Sequence, residues 1–246
     1  MNAEYLDHMG TDNTVADAAR VSFSKTSDNF TPEQNKGLIQ FLARGCMKKD
    51  WDEAVNQLRC YAQPFDKIEE TLKWAKNMPT HWTPFSHAMI SVRETVPIFV
   101  ARQRFKHCVG FTYNETSRRY VDDRPEFYYP RDWRSRPVGG IKQGSGEDLN
   151  NAKQIKAIEQ YERAVAQCEN TYNSMLAMGV APEQARMVLP QSMLTTYWVT
   201  GSLYAWANAY IQRSDSHAQK EIQDLAAQWD AIIRPLYPVS WEALVG

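Results

Sequence analysis

Hydrophobic positions along the chain change period several times, and each change marks an element. Residues 12 to 23 begin with capping residues and run through alanines, which predicts a short helix ending in an extended Arg20-Val21-Ser22-Phe23. Thr31-Pro32-Glu33-Gln34 combines an N-cap, a proline at the first helical position and a capping-box glutamine. Leu38, Ile39, Phe41 and Leu42 supply that helix's buried face, and Gly45 its stop. Residues 48 to 77 are charged, broken by Pro64, and have room for one or two surface helices. After a turn-rich Pro79–Phe85, His87 to Thr95 alternates, with Ala88, Ile90 and Val92 on one side and Met89, Ser91 and Arg93 on the other. Period two predicts a strand.

Pro97 then starts a helix with Ile98, Ala101 and Phe105 on one face, which Gly110 ends. Thr112 to Tyr120 follows as loop or strand. Residues 122 to 146, rich in Asp, Pro, Arg, Gly and aromatics, read as a long lid or subunit arm. From Asn150 the stripe Ile155, Ile158, Val165, Cys168, Tyr172, Leu176 marks a long amphipathic helix stopped at Gly179. Pro182 opens a short helix bearing Arg186. Residues 193 to 212 are apolar and, by length, helical and buried. Ser216-His217-Ala218-Gln219 reads as a second capping box, opening a helix with Ile222, Leu225, Trp229 and Ile232 inward and Pro235 beyond its end. No internal repeat and no break in composition divides the chain, so one domain over 1–246 is expected.

Chemistry concentrates between Arg102 and Tyr120, where Arg102, Arg104, Lys106, Arg118 and Arg119 interleave with His107, Gln103, Asn114, Glu115, Ser117 and aromatics. Guanidinium forks bind phosphate bidentately and aromatic rings stack, so a planar phosphorylated ligand is one reading; a solvated basic surface is the other. Net charge decides part of this. From Arg102 to Arg136 there are nine Lys/Arg against five Asp/Glu, yet the 246-residue chain has a formal charge of -1. A general polyanion binder carries a large basic excess, so a confined patch suits a small anion better than an RNA or single strand. Eight Trp, twelve Tyr and nine Phe add weak support for ring stacking. Four cysteines without a C-x-x-C pair suit a reduced, intracellular protein. No apolar run reaches the ~20 residues of a membrane span and the N-terminus lacks a secretory pattern, so a cytoplasmic location without membrane or nucleic-acid partners is expected.

The histidines show no metal-ligand spacing, so no metal is expected. There is no G-x-S-x-G elbow to make Ser117 a nucleophile. Nor is there a glycine-rich phosphate loop, which leaves Arg119, Arg186 and Arg213 to hold phosphate. A helix N-terminus at Asp215/Ser216 would add partial positive charge beside Arg213.

Seven blocks in order carry a resemblance: A-A-R-V-S-F (18–23), L-A-R-G (42–45), H-W-T-P-F-S-H (81–87), P-I-F-V-A-R-Q (97–103), K-H-C-V-G-F-T-Y-N-E-T-S-R-R-Y (106–120), A-R-M-V-L-P (185–190) and R-S-D-S-H-A-Q (213–219). They resemble the flavin-dependent thymidylate synthases. Lys106-His107-Cys108 stands where that family usually has Arg-His-Arg, so Cys108 offers no second guanidinium, and Ser202 stands where it often has asparagine. A homologue that keeps the fold without catalysis is the alternative these departures leave open.

The resemblance implies an α+β fold with a mixed or antiparallel sheet flanked by helices, assembled as a homotetramer with FAD at subunit junctions. It implies reductive methylation of dUMP to dTMP, with methylenetetrahydrofolate and NADPH as co-substrates. By position, Gln103, Glu115, Ser117, Arg119, Arg186 and Arg213 become nucleotide contacts. Ser22, His81, Thr83, Lys106, His107, Asn208 and His217 become flavin contacts, and Arg213, Ser117 and His81 are nearest the reaction.

Overall fold

The computed structural model describes residues 1–47, 49–53, 56, 68, 70, 72, 73, 80–120, 123–137 and 144–246. Most of the stretch expected to hold surface helices, 48 to 77, lies outside them, as do parts of the expected arm. In chain order come β1 (Asn2–Met9), α1 (Asp12–Arg20), α2 (Pro32–Ala43), β2 (Met89–Pro97), α3 (Ile98–Arg104), β3 (Phe111–Glu115), α4 (Asn151–Ala177), α5 (Pro182–Ala185), β4 (Leu194–Ser202), α6 (Leu203–Ser214), α7 (Lys220–Ile233) and α8 (Pro238–Val245). Short 3-10 turns sit at Val21–Phe23, Ser27–Asn29, Thr83–Ser86 and Arg186–Val188. No helix among the described residues is long and apolar enough to cross a membrane.

The strands form one antiparallel sheet in the order β1-β2-β4-β3, which removes the mixed alternative from the expected α+β fold. On β2 the alternation holds: Ile90, Val92 and Val96 are fully buried while Arg93 faces out. On β4, Tyr197 and Val199 face in and Trp198 out. The helix expected over 193–212 is therefore half wrong. Thr195-Thr196-Tyr197-Trp198-Val199-Thr200 is a β-branched and aromatic run that fits a pleated surface, and only from Leu203 does the chain turn helical. Length joined the two into one apolar segment. Ser202 marks the boundary as N-cap of α6, its hydroxyl accepting from the Ala205 amide. Strand β1 and helix α8 lie outside the elements that the hydrophobic pattern predicts.

The helices expected at Thr31, Pro97, Asn150 and Pro182 all form. Helix α4 ends in a Schellman pair, with Val180 N–H on the Met175 carbonyl at 3.0 Å and Gly179 in the left-handed region. Along α4, Val165 and Tyr172 are buried, but Ile155 and Ile158 are exposed. The residues after Arg20 form a 3-10 turn instead of an extended end, and α3 stops at Arg104 rather than Gly110. The capping box at Ser216 does not form either: α7 starts at Lys220 with Gln219 as N-cap.

Helices α1, α2, α6, α7 and α8 cover one face of the sheet. Trp206, Trp229 and Trp241 are fully buried there, so part of the aromatic excess is core packing. The other face carries Ser91–Thr200 and Thr95–Thr196 hydroxyl pairs and leaves Met9 and Trp198 exposed.

Candidate active site

Strand β3 delivers its last residue and the following turn to a cleft of about 750 Å³. Glu115, Ser117, Arg118 and Arg119 line it together with Arg186, Met187, Thr195 and Thr196. Glu115 accepts the Thr195 hydroxyl at 2.6 Å. The Arg119 Nε and backbone N–H both donate to Ser117 Oγ, at 3.3 and 3.4 Å. Ser117 is thus oriented by an arginine, with no described imidazole bonded to it. Arg186 is exposed, its Nε on the Glu183 carbonyl at 3.2 Å. Arg118 is held on the Asp123 and Arg124 carbonyls at the edge of the same cleft. Four of the six expected nucleotide contacts, Glu115, Ser117, Arg119 and Arg186, therefore share this cleft.

The other two lie elsewhere. Gln103 and Arg213 line a second cleft of about 640 Å³ with Asp215, His217 and Gln219. Arg213 occupies the last turn of α6, and the helix N-terminus expected at Asp215/Ser216 forms instead at Gln219, which lines the same cleft. Arg213 donates from Nε to His107 Nε2 at 2.8 Å and from NH2 to the Gln103 carbonyl at 3.1 Å. Burial, then the charges of Arg213 and Arg104, push the His107 imidazole down to about 4. A neutral ring accepting at Nε2 carries its proton on Nδ1. Burial and Arg104 also lower Arg213.

The expected flavin contacts divide similarly. Ser22, His81 and Thr83 are exposed on and beside 3-10 turns, and the Thr83–Ser86 turn packs against α1 and α6. Asn208, half-buried on α6, donates to the Tyr204 carbonyl at 3.0 Å. Lys106 is exposed just after α3. His217 is exposed and its ring nitrogen pairs with Asp215 at 2.8 Å.

Arg104 leaves the cationic cluster altogether. Its side chain is fully buried, 3.3 Å from a fully buried Glu94, and its guanidinium lies within 4.3–5.2 Å of the ring centres of Phe111, Tyr113, Trp206 and Trp229. Glu94 also accepts the Tyr197 hydroxyl at 2.5 Å. Arg104 donates to Tyr113 Oη at 2.6 Å, and that hydroxyl bonds the His107 carbonyl at 2.7 Å. A buried ion pair thus sits beneath the His107–Arg213 contact. A signal for it exists in the pattern: Arg104 follows buried Val100 and Ala101 by four and three, and Glu94 shares parity with Ile90 and Val92.

Residues 4–239 match the family model described as "Thymidylate synthase complementing protein". The chain belongs to that family. A flavin-dependent thymidylate synthase of Thermosipho africanus is 33% identical over 240 residues, covering 98% of this chain and 89% of the relative. One from Thermosipho melanesiensis is 31% identical over 98% of this chain and 88% of its own length. Among solved structures, a UMP/dUMP methylase of Streptomyces cacaoi bound with 5-Br dUMP superposes with a TM-score of 0.74 at 26% identity, over 98% of this chain and 93% of that one.

Proposed function

We propose that the chain is a flavin-dependent thymidylate synthase that reductively methylates dUMP to dTMP, with methylenetetrahydrofolate giving the carbon and NADPH the reducing equivalents. The observation that carries this is the family match over residues 4–239 together with a cleft in which Glu115, Ser117, Arg119 and Arg186 converge. Arg119 and Arg186 hold the nucleotide phosphate, and Ser117, fixed by Arg119, orients it as a hydrogen-bond donor rather than attacking it. Arg213 keeps NH1 for the pyrimidine, where a cationic donor stabilises negative charge developing on a ring carbonyl as C5 becomes nucleophilic.

The two clefts share no lining residue, so these roles meet when a second copy brings its Arg213 cleft against the Arg119 cleft. This reading takes the assembly as a homotetramer with active sites at its junctions. The uncovered sheet face with Met9 and Trp198, and Ile155 and Ile158 on α4, are apolar surfaces a partner copy would cover. It also places the protein in the cytoplasm, where Cys46, Cys108 and Cys168 stay free thiols.

The donor set suits FAD. Ser22, Thr83, His81 and Lys106 present exposed hydroxyl, imidazole and ammonium groups, a chemistry matched to ribityl and pyrophosphate oxygens, with Asn208 and His217 alongside and His81 closest to the reaction. FAD, when bound, supplies the redox chemistry that links NADPH to the transferred carbon, while the protein supplies placement and field. The test is direct: purified protein carrying flavin, given dUMP, methylenetetrahydrofolate and NADPH, forms dTMP. Flavin-loaded protein that oxidises NADPH but yields no dTMP would overturn the reading.

A further inference from the structure

The second cleft contains a chain of side-chain hydrogen bonds whose direction is forced. Gln103 donates from Nε2 to Gln219 Oε1 at 2.6 Å. Gln219 in turn donates from Nε2 to Glu221 Oε2 at 2.8 Å. The other Glu221 oxygen takes NH2 of Arg134 at 2.6 Å, and Arg134 Nε is fixed on Ser145 Oγ at 2.7 Å. Arg134 comes from the segment 123–137, outside every helix and strand named above. Glu221 is the first-turn acid of α7, with its side chain only 6% exposed.

Polarity follows from elementary chemistry. A guanidinium only donates and an ionised carboxylate only accepts, whereas a glutamine can be turned either way. Glu221 therefore requires an amide NH2 from Gln219. Gln219 is left with its oxygen toward Gln103, and Gln103 must answer with its own NH2. The side-chain oxygen of Gln103, Oε1, is what remains for the cleft, beside Arg213. Burial would raise the Glu221 carboxyl, but hydrogen bonds from Arg134, from its own backbone and from Gln219 hold it below the usual range, which keeps it an acceptor at neutral pH.

We infer that Glu221, anchored by Arg134, is a positioning residue that makes Gln103 present its side-chain oxygen as an acceptor to a hydrogen-bond donor of the bound nucleotide. This rests on the reading of the cleft as half of the nucleotide site. The donor is either the imide N–H of the base or the sugar hydroxyl, since a phosphate dianion offers none. Glu221 lies behind Gln219 and acts through it, not on the ligand.

The experiment uses the flavin-loaded full chain and steady-state dTMP formation. E221Q keeps the shape but can donate, so the amide chain can reverse. Its KM for dUMP should rise about tenfold, the scale of one hydrogen bond, with kcat within about twofold of wild type, and the rise should vanish in a Q103A background. The same pair is then compared by inhibition constants for 2',3'-dideoxyuridine monophosphate and N3-methyl-dUMP. The analogue whose binding no longer responds to E221Q identifies the donor. A KM unchanged in E221Q, an equal rise in the Q103A background, or E221Q sensitivity retained by both analogues overturns the inference. Should E221Q be insoluble, Q219L interrupts the same chain and faces the same three criteria. A wild type that forms no dTMP refutes the function instead, while an active wild type matched by its variants refutes only this proposal.

Discussion

Arg213 commits Nε to His107 and NH2 to the Gln103 carbonyl, so its remaining nitrogen is aimed without further cost of ordering. Removing a preorganised donor of this kind costs about 10²–10³ in kcat. R213A should show that loss in dTMP formation while the flavin absorbance of the purified protein stays at the wild-type level. His107 makes a second, pH-based prediction. Its folded value of about 4 lies below the ordinary 6.5, so the unfolded chain takes up the proton first as pH falls. The stability this ring contributes is complete above its ordinary value and is lost progressively toward its folded one. Urea midpoints measured across that window should fall with pH more steeply for wild type than for H107N. A protonated ring would also lose the Nε2 acceptor and repel the guanidinium it now orients.

At the scale of elements, the site depends on how tightly α3 is turned into β3. The backbone bonds Lys106 N–H to the Gln103 carbonyl and His107 N–H to the Arg104 carbonyl close the end of α3 as a 3-10-like turn. Gly110 then adopts φ +76°, and a Cβ there would lie 2.8 Å from the Ala205 Cβ at the start of α6. Left-handed backbone and overpacking act together at this position. G110A should lower stability by about 2–4 kcal/mol, read as a denaturation midpoint, and weaken dUMP binding because Lys106 and His107 shift with the turn. The buried Glu94–Arg104 pair clamps the same junction from below, tying α3 to β2. Leaving one partner of such a pair uncompensated costs about 3–5 kcal/mol, so R104L should unfold at markedly lower urea than wild type.

For the whole molecule, the separation of Arg119 and Arg186 from Arg213 has a consequence for mixing. If each site takes Arg119 from one copy and Arg213 from another, R119A and R213A complement each other. Co-expressed in one cell and purified together by two tags, they should assemble sites of which about one quarter carry neither substitution, with kcat restored to that fraction. Each variant alone stays inactive. Co-purified oligomers with no more activity than either parent would place both arginines in one chain's site.

The sequence by itself determined much of the local order. Thr31-Pro32, Pro97, Asn150 and Gly179 mark helix ends because caps and imino acids act within one turn of the chain, and the β2 alternation reads directly as in and out. The convergence of Glu115, Ser117 and Arg119 is similarly local, since they follow one another at the end of β3. Tertiary structure decided the rest. Residues 194–202 became a strand because β2 and β3 offer hydrogen bonds on both sides, and an apolar run does not state its partners. Arg104 and Lys106 look alike in a cationic cluster, yet Glu94 and a cage of aromatic rings bury one while water keeps the other. The grouping of expected nucleotide contacts into two clefts depends on which helix ends meet in space. So does the polarity of Gln103, which a carboxylate two links away imposes through contacts that no sequence spacing encodes.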